Sequence, residues 1–208
     1  MFAPGAGRPL GVAAALLLLG ALVELLRVVP LYLVLVAFLV LGAGFWAFFA
    51  WFFRDPERAV GEGVVSAADG IVRAVTEEGE RTRISVFMNV TDVHVNRVPV
   101  DGTFSKIGTA GAGYRPAYRP DADRNVARTY DLDTAYGPVQ VVQITGIVAR
   151  RLVSFVREGE VRHRGDRFGM IVLGSRVDVL LPSQRLVVVV RPGQRVWAGR
   201  STVARVRP

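Results

Sequence analysis

The chain has 208 residues, 26 basic against 18 acidic side chains and a formal charge of +8, enough length for one domain with a full core plus an additional segment. The absence of cysteine excludes a disulfide scaffold and a cysteine metal cluster, and agrees with a reducing compartment. The basic excess calls for a polyanionic neighbour; without recognition-helix or aromatic-interleaved basic motifs, lipid head groups fit that role better than nucleic acid.

In chain order, the additional segment comes first. Leu10 to Val23 is continuously apolar, and Pro30 to Phe53 is free of charge over the roughly 20 residues that a membrane-spanning helix needs. The sequence predicts an N-terminal transmembrane helical hairpin, residues 1–53, with helices over about 10–26 and 30–53. The first run lacks a small-residue cleavage site before a polar mature start, so it reads as retained and not as a signal peptide. It is short and ends in Glu24, which leaves open whether it spans or only dips into the bilayer. Arg8 precedes the first run and Arg54 and Arg58 follow the second, while Glu24 and Arg27 between them cancel. By the positive-inside tendency both ends, and the domain over 54–208, face the cytoplasm at the cell membrane. Phe45, Trp46, Phe48, Phe49, Trp51, Phe52 and Phe53 form the aromatic belt expected at a membrane interface, and Asp55-Pro56 ends the helix.

After Arg54, short β-branched runs alternate with turn signals. Strands are expected over 63–66, 71–75, 83–88, 92–100, 139–144, 146–156, 169–173, 177–181, 186–190 and 203–206. Gly108 to Arg128 has glycines, two Arg-Pro pairs and no periodicity, and reads as a long loop. Residues 192–199 read as a hairpin. The fold class is mainly β, an antiparallel barrel or sandwich-type domain behind the helical hairpin.

Chemistry concentrates at Gly174-Ser175-Arg176, which joins two strand-like runs. Gly174 has no side chain to shield its carbonyl carbon, and the hydroxyl of Ser175 stands next to that carbonyl, so the peptide bond is a candidate for self-attack. The plain alternative is a β-bulge or hairpin corner. Of the two histidines, His163 in Arg162-His163-Arg164-Gly165 reads as a solvated turn residue. Strand alternation puts Asp92, His94 and Asn96 on one face, a polar stripe that needs partners inside a β domain, and makes His94 the candidate acid or base. Asp69, before Gly70, either caps a tight turn or orients His94 in a Ser, His, Asp arrangement drawn from distant strands. No ligand cluster for a metal and no glycine-rich phosphate loop is present in the sequence.

Five blocks in order resemble the short form of the phosphatidylserine decarboxylase proenzymes: Phe53-Arg54-Asp55-Pro56-Glu57-Arg58, Ser66-Ala67-Ala68-Asp69-Gly70, Val86-Phe87-Met88 with Asp92 to Arg97, Gln143 to Arg151, and Phe168 to Asp178. The resemblance implies a self-processing enzyme that converts phosphatidylserine to phosphatidylethanolamine and carbon dioxide. Its chain would be cut between Gly174 and Ser175 into a β chain 1–174 and an α chain 175–208 that stay together as a heterodimer. Ser175 would become a covalent pyruvoyl group, with no metal and no external cofactor. That group's ketone would form a Schiff base with the substrate amine and draw off the electrons released on decarboxylation. Within that chemistry His94 is the candidate proton donor, and Arg97, Arg150 and Arg151 are candidates to meet the phosphate or carboxylate of the lipid. Longer members carry His-x-x-His where this chain has His94 and Arg97, so whether His94 serves cleavage, decarboxylation or both stays open. The rival class is a membrane-tethered β scaffold of the same family that never cuts itself.

Overall fold

The computed structural model describes residues 7–25, 29–116, 120–146, 151–172 and 175–207. The chain divides into two compact units, Met1–Pro56 and Glu57–Pro208. The first unit contains α1 (Gly7–Leu25) and α2 (Val29–Phe52). Their mutual approach depends on missing side chains: a Cβ at Gly20 would come 2.7 Å from Leu39, and one at Gly42 would come 3.3 Å from Leu16. Tyr32–Phe52 is long and apolar enough to cross a membrane, whereas the apolar stretch Gly7–Val23 is shorter.

The second unit is β throughout, apart from a 3-10 turn at Pro120–Arg124. Its strands are β1 (Val64–Val65), β2 (Gly70–Glu78), β3 (Arg81–Met88), β4 (Val95–Arg97), β5 (Gly102–Ala110), β6 (Ala127–Thr134), β7 (Gly137–Thr145), β8 (Arg151–Ser154), β9 (Val161–Arg162), β10 (Arg167–Val172), β11 (Ser175–Pro182), β12 (Leu186–Val188), β13 (Arg195–Val196) and β14 (Thr202–Val206). An eight-stranded curled sheet runs in the order β13-β2-β3-β11-β7-β6-β5-β9, and two three-stranded sheets, β4-β10-β8 and β1-β14-β12, complete the unit. The pairings are antiparallel. This is the mainly β, antiparallel domain behind an apolar helix pair that the composition implies.

Alternation in β11 shows why this strand can occupy the middle of the large sheet. Val177, Val179 and Leu181 sit in the core with Val86, Ile84 and Val141 from the flanking strands, while Asp178 is buried on the other face and needs charged partners. A second part of the core is aromatic: Tyr130, Phe104 and Phe168 meet edge-on or tilted, with ring centroids 5.0–6.1 Å apart.

Four segments depart from the expected spans. Of the strand expected over 146–156, residues 147–150 lie outside the described residues and the strand covers Arg151–Ser154. The stretch expected as loop, 108–128, contains the end of β5 and the start of β6, which pair with each other along Gly102–Ala110 and Ala127–Thr134. The strand expected over 92–100 is reduced to β4, although residues 92–100 are buried throughout. Residues 192–199 do not close on themselves; β13 pairs with the start of β2 instead.

Gly70 opens β2 with φ +149°, and a Cβ there would lie 2.0 Å from the carbonyl oxygen of Phe87 in the partner strand. Backbone cannot retreat as a side-chain tip can. Gly70→Ala is expected to cost about 3 kcal/mol or more, read as a fall in thermal midpoint on the order of 6–12 °C in detergent.

Candidate active site around the strand 10 to strand 11 joint

β10 and β11 belong to different sheets, so the chain crosses from the small sheet to the large one between Val172 and Ser175. Gly174, the expected cleavage residue, lies outside the described residues, as does Arg150. Ser175 is the first residue of β11, and its Cα partners are Met88 on β3 and Thr145 on β7. Its backbone is therefore fixed from both sides at the point where the crossing ends.

His94 precedes β4 and is wholly buried. Its main-chain carbonyl accepts a hydrogen bond of 3.2 Å from the N–H of Ile171, which ties it to the last turn of chain before the crossing. Its Nδ1 stands 2.8 Å from the carbonyl oxygen of Asp92. A carbonyl oxygen only accepts, so Nδ1 carries the proton, and in the neutral ring the lone pair resides on Nε2. Asp92 is itself held hard: Oδ1 pairs with Arg195 at 2.5 Å, Oδ2 accepts from the Asn89 N–H at 2.8 Å, and the Asp92 N–H donates to Asn89 O. The arrangement can present a buried base of fixed tautomer.

Asn96, the third member of the expected polar stripe, continues it into the large sheet. Its Oδ1 accepts from Gln143 Nε2 at 2.7 Å, Gln143 Oε1 accepts from the Tyr130 hydroxyl at 3.1 Å, and Asn96 Nδ2 lies 3.8 Å from Met88 Sδ. All of these residues are fully buried. Gly169 permits the contact, because a Cβ there would lie 2.9 Å from Gln143 Nε2 and 2.8 Å from Val153 O. Burial pushes the Tyr130 phenol above its ordinary value, so it remains a proton donor to Gln143.

Asp69 stands elsewhere in this network. Both its oxygens take the Arg58 fork, at 2.5 and 2.8 Å, and Oδ1 also accepts from the Ala198 N–H at 2.8 Å, while Arg58 donates to Ala198 O. The structure does not bring this carboxylate into hydrogen bond with the imidazole. It reaches β4 through the backbone: Ala67 O, two residues earlier, accepts from the Arg97 N–H at 2.9 Å.

The described candidate arginines lie at opposite ends of β10. Arg97 pairs in register with Arg167 and is largely buried, with Nη1 donating to Gly165 O at 3.1 Å. Arg151 is exposed and pairs with Val172, beside the crossing. His163 is 81% exposed in its side chain, as expected of a turn residue. Among the described residues no group of three or more His, Cys, Asp or Glu side chains could hold a metal.

Sequence reading alone assigns no role to several members of the site. Asn125 donates from Nδ2 to Arg115 O and to Thr145 O, clasping the loop before β6 against the end of β7 opposite Ser175. Arg176 pairs with Asp178 at 2.9 Å and with Asp123, fastening the 3-10 turn to β11. Gln143 and Tyr130 differ in parity from no pattern that marks function. Only their burial reveals them.

A family profile described as phosphatidylserine decarboxylase matches residues 45–204. The chain is 41% identical over 157 residues to the phosphatidylserine decarboxylase proenzyme of Streptomyces avermitilis, covering 74% of this chain and 73% of that protein. With the phosphatidylserine decarboxylase proenzyme of Carboxydothermus hydrogenoformans it shares 36% identity over 203 residues, 92% of this chain and 93% of the relative. The corresponding proenzyme of Thermobifida fusca is 43% identical over 158 residues, 75% of this chain and 72% of that protein.

An unfolded tyrosine ionises near pH 10, whereas buried Tyr130 holds its proton higher, so folding stability falls as pH rises past about 10. Tyr130→Phe is expected to lose about 1–2 kcal/mol at neutral pH by stranding Gln143 Oε1. The same variant should lose stability less steeply with rising alkalinity, measured by urea unfolding between about pH 8 and 11.

Proposed function

The chain belongs to the phosphatidylserine decarboxylase family and is a decarboxylase of that family, and from this premise we propose that it matures by cutting itself before Ser175 and then releases carbon dioxide from the serine head group of phosphatidylserine. The observation that carries the reading is the position of buried His94, hydrogen-bonded through its backbone to Ile171 and through Nδ1 to Asp92, beside the stretch that leads into Ser175.

In the maturation step His94 Nε2 takes the proton of the Ser175 hydroxyl, whose oxygen bonds to the Gly174 carbonyl carbon. The Gly174–Ser175 amide bond breaks, its nitrogen takes a proton, and an ester joins the two residues. Removal of the α proton of residue 175 then expels the Gly174 carboxylate and leaves a dehydroalanine, which adds water and loses ammonia to give a ketone. The resulting pyruvoyl group, borne by the first residue of β11, would supply an electron sink for the pair left when the substrate carboxylate departs as carbon dioxide.

The residues present suit such a group. Position 175 is held between β3 and β7, and His94 offers a proton carrier of fixed tautomer. His94 also returns a proton to the carbon that loses the carboxylate. Asp69 acts as a positioning residue, since it braces Arg58 and Ala198 next to the segment that receives Arg97 of β4. Arg150 and Arg151 are assigned to the anionic parts of the substrate, whereas Arg97, the third candidate, stands at the far end of β10 with Nη1 on Gly165 O and is not.

Scission at that point would leave residues 175–208 in place. β11 keeps its pairing with β3 and β7, β13 with β2 and β14 with β1, which supports an α and β heterodimer without any covalent link. The apolar helix Tyr32–Phe52, with basic residues outside both runs, supports insertion in the cell membrane with the β unit on the cytoplasmic side, where a lipid substrate needs no transfer through water.

Intact mass decides the first step. Wild type is expected as two species, 1–174 and a 175–208 piece whose blocked first residue resists Edman degradation, whereas Ser175→Ala should run as one uncut and inactive chain. An uncut wild type that still decarboxylates the lipid would end this reading. His94→Gln separates the steps: an uncut chain assigns His94 to maturation, and a cut chain with carbon dioxide release down by about 100-fold or more assigns it to turnover.

A further inference from the structure

At the opposite end of β10 from Ser175, five arginines line one cleft of about 300 Å³: Arg58, Arg97, Arg162, Arg164 and Arg167. The lining acids are Glu57 and Asp166. Each acid is already engaged. Glu57 pairs with Arg167, whose hydrogen bond holds its carboxyl below the usual range, and Asp166 accepts from the His163 N–H.

Arg162 and Arg164 keep donors in reserve. Arg162 pairs with Glu160 through Nη2, and Arg164 donates to Gly63 O through Nη1. Yet the Nε–H groups of both Arg162 and Arg164 are buried with no acceptor. A buried N–H without a partner costs about 1–3 kcal/mol, so two of them in one basic cleft require an explanation. Two guanidinium groups with unfilled donors, in a basic cleft whose two acids are engaged, suit a multiply charged tetrahedral oxyanion better than a single carboxylate.

We propose that this cleft is a binding site for a phosphate group, either that of an anionic lipid head group or free phosphate, separate from the place where carbon dioxide is lost. The strand that links the two places, Arg167 to Val172, spans about 16 Å of extended chain. The site does not depend on self-cleavage, and it gives the basic excess of the β unit a defined recipient.

The test uses the full chain in a non-ionic detergent, titrated calorimetrically with inorganic phosphate and, in parallel, with dihexanoyl phosphatidylglycerol. Saturable binding of at least one probe is expected, and the tighter one identifies the source. The double variant Arg162→Lys with Arg164→Lys keeps the charge and removes both Nε–H donors; it should weaken that binding at least tenfold. Binding of neither probe, or equal binding by the double variant, overturns the proposal. Intact mass of the same samples reports on maturation independently: the double variant should be processed as wild type is, and a chain that binds phosphate but is never cut would refute self-cleavage alone.

Discussion

The hydrogen bond from Gln143 Nε2 to Asn96 Oδ1 is the polar tie between the sheet that carries His94's strand and the sheet that carries Ser175. Both amides are fully buried, so neither has water as an alternative, and losing one partner would strand the other at about 1–3 kcal/mol. Each amide has a second neighbour, the Tyr130 hydroxyl for Gln143 and Met88 Sδ for Asn96. The consequence is geometric. With β4 and β7 pinned to each other, the crossing from β10 to β11 begins and ends on surfaces that cannot slide apart.

Buried charge is arranged around the same joint. Asp92, Asp69 and Asp178 are all nearly or wholly inaccessible, and each has a partner across the boundary at Ser175: Asp92 in Arg195, Asp69 in the Ala198 N–H, and Asp178, through Oδ2, in Arg83. A buried carboxylate that loses its partner costs far more than the pair contributes, about 3–5 kcal/mol. These contacts therefore act less as added stability than as a penalty on any register in which residues 175–208 drift from the rest. Together with β11 at the centre of the large sheet, they fix residues 175–207 against the strands that precede them.

How far the sequence discloses this depends on which signal each element carries. β3, β7, β10 and β11 are rich in branched apolar residues, because both of their sides meet protein, and they are legible from composition. β5 and β6 are not, since Gly102-Thr103-Phe104-Ser105-Lys106 and Arg128-Thr129-Tyr130-Asp131 carry polar groups on a solvated face and only Phe104, Tyr130 and Leu132 are fully buried. Their pairing also slips between Phe104 and Lys106, which breaks the two-residue period a reader would look for. At the site, the stripe of Asp92, His94 and Asn96 was visible because polar residues alternate there within an apolar run. Its partners Arg195, Gln143 and Tyr130 are separated from it by tens of residues and come together only through strand order, which no local pattern encodes. Asp69 illustrates the same limit: its spacing suggested a partner for His94, and the folded chain gives its oxygens to Arg58 and Ala198.

The use of arginine, with Lys106 the one lysine among 26 basic residues, follows from these demands as well as from composition. Arg58 grips both oxygens of Asp69 and still reaches Ala198 O, and Arg83 joins Glu78 through two nitrogens while a third meets Asp178. A lysine ammonium in those positions is a point charge that sheds its proton when desolvated, and it cannot hold two planar acceptors at once. Where strands from distant parts of the chain must be fixed by a few partly buried charges, the forked and permanently charged side chain is the one that keeps both the geometry and the charge. The same property leaves donors to spare, and the Nε–H groups of Arg162 and Arg164 at the far end of β10 are two such donors, buried without an acceptor.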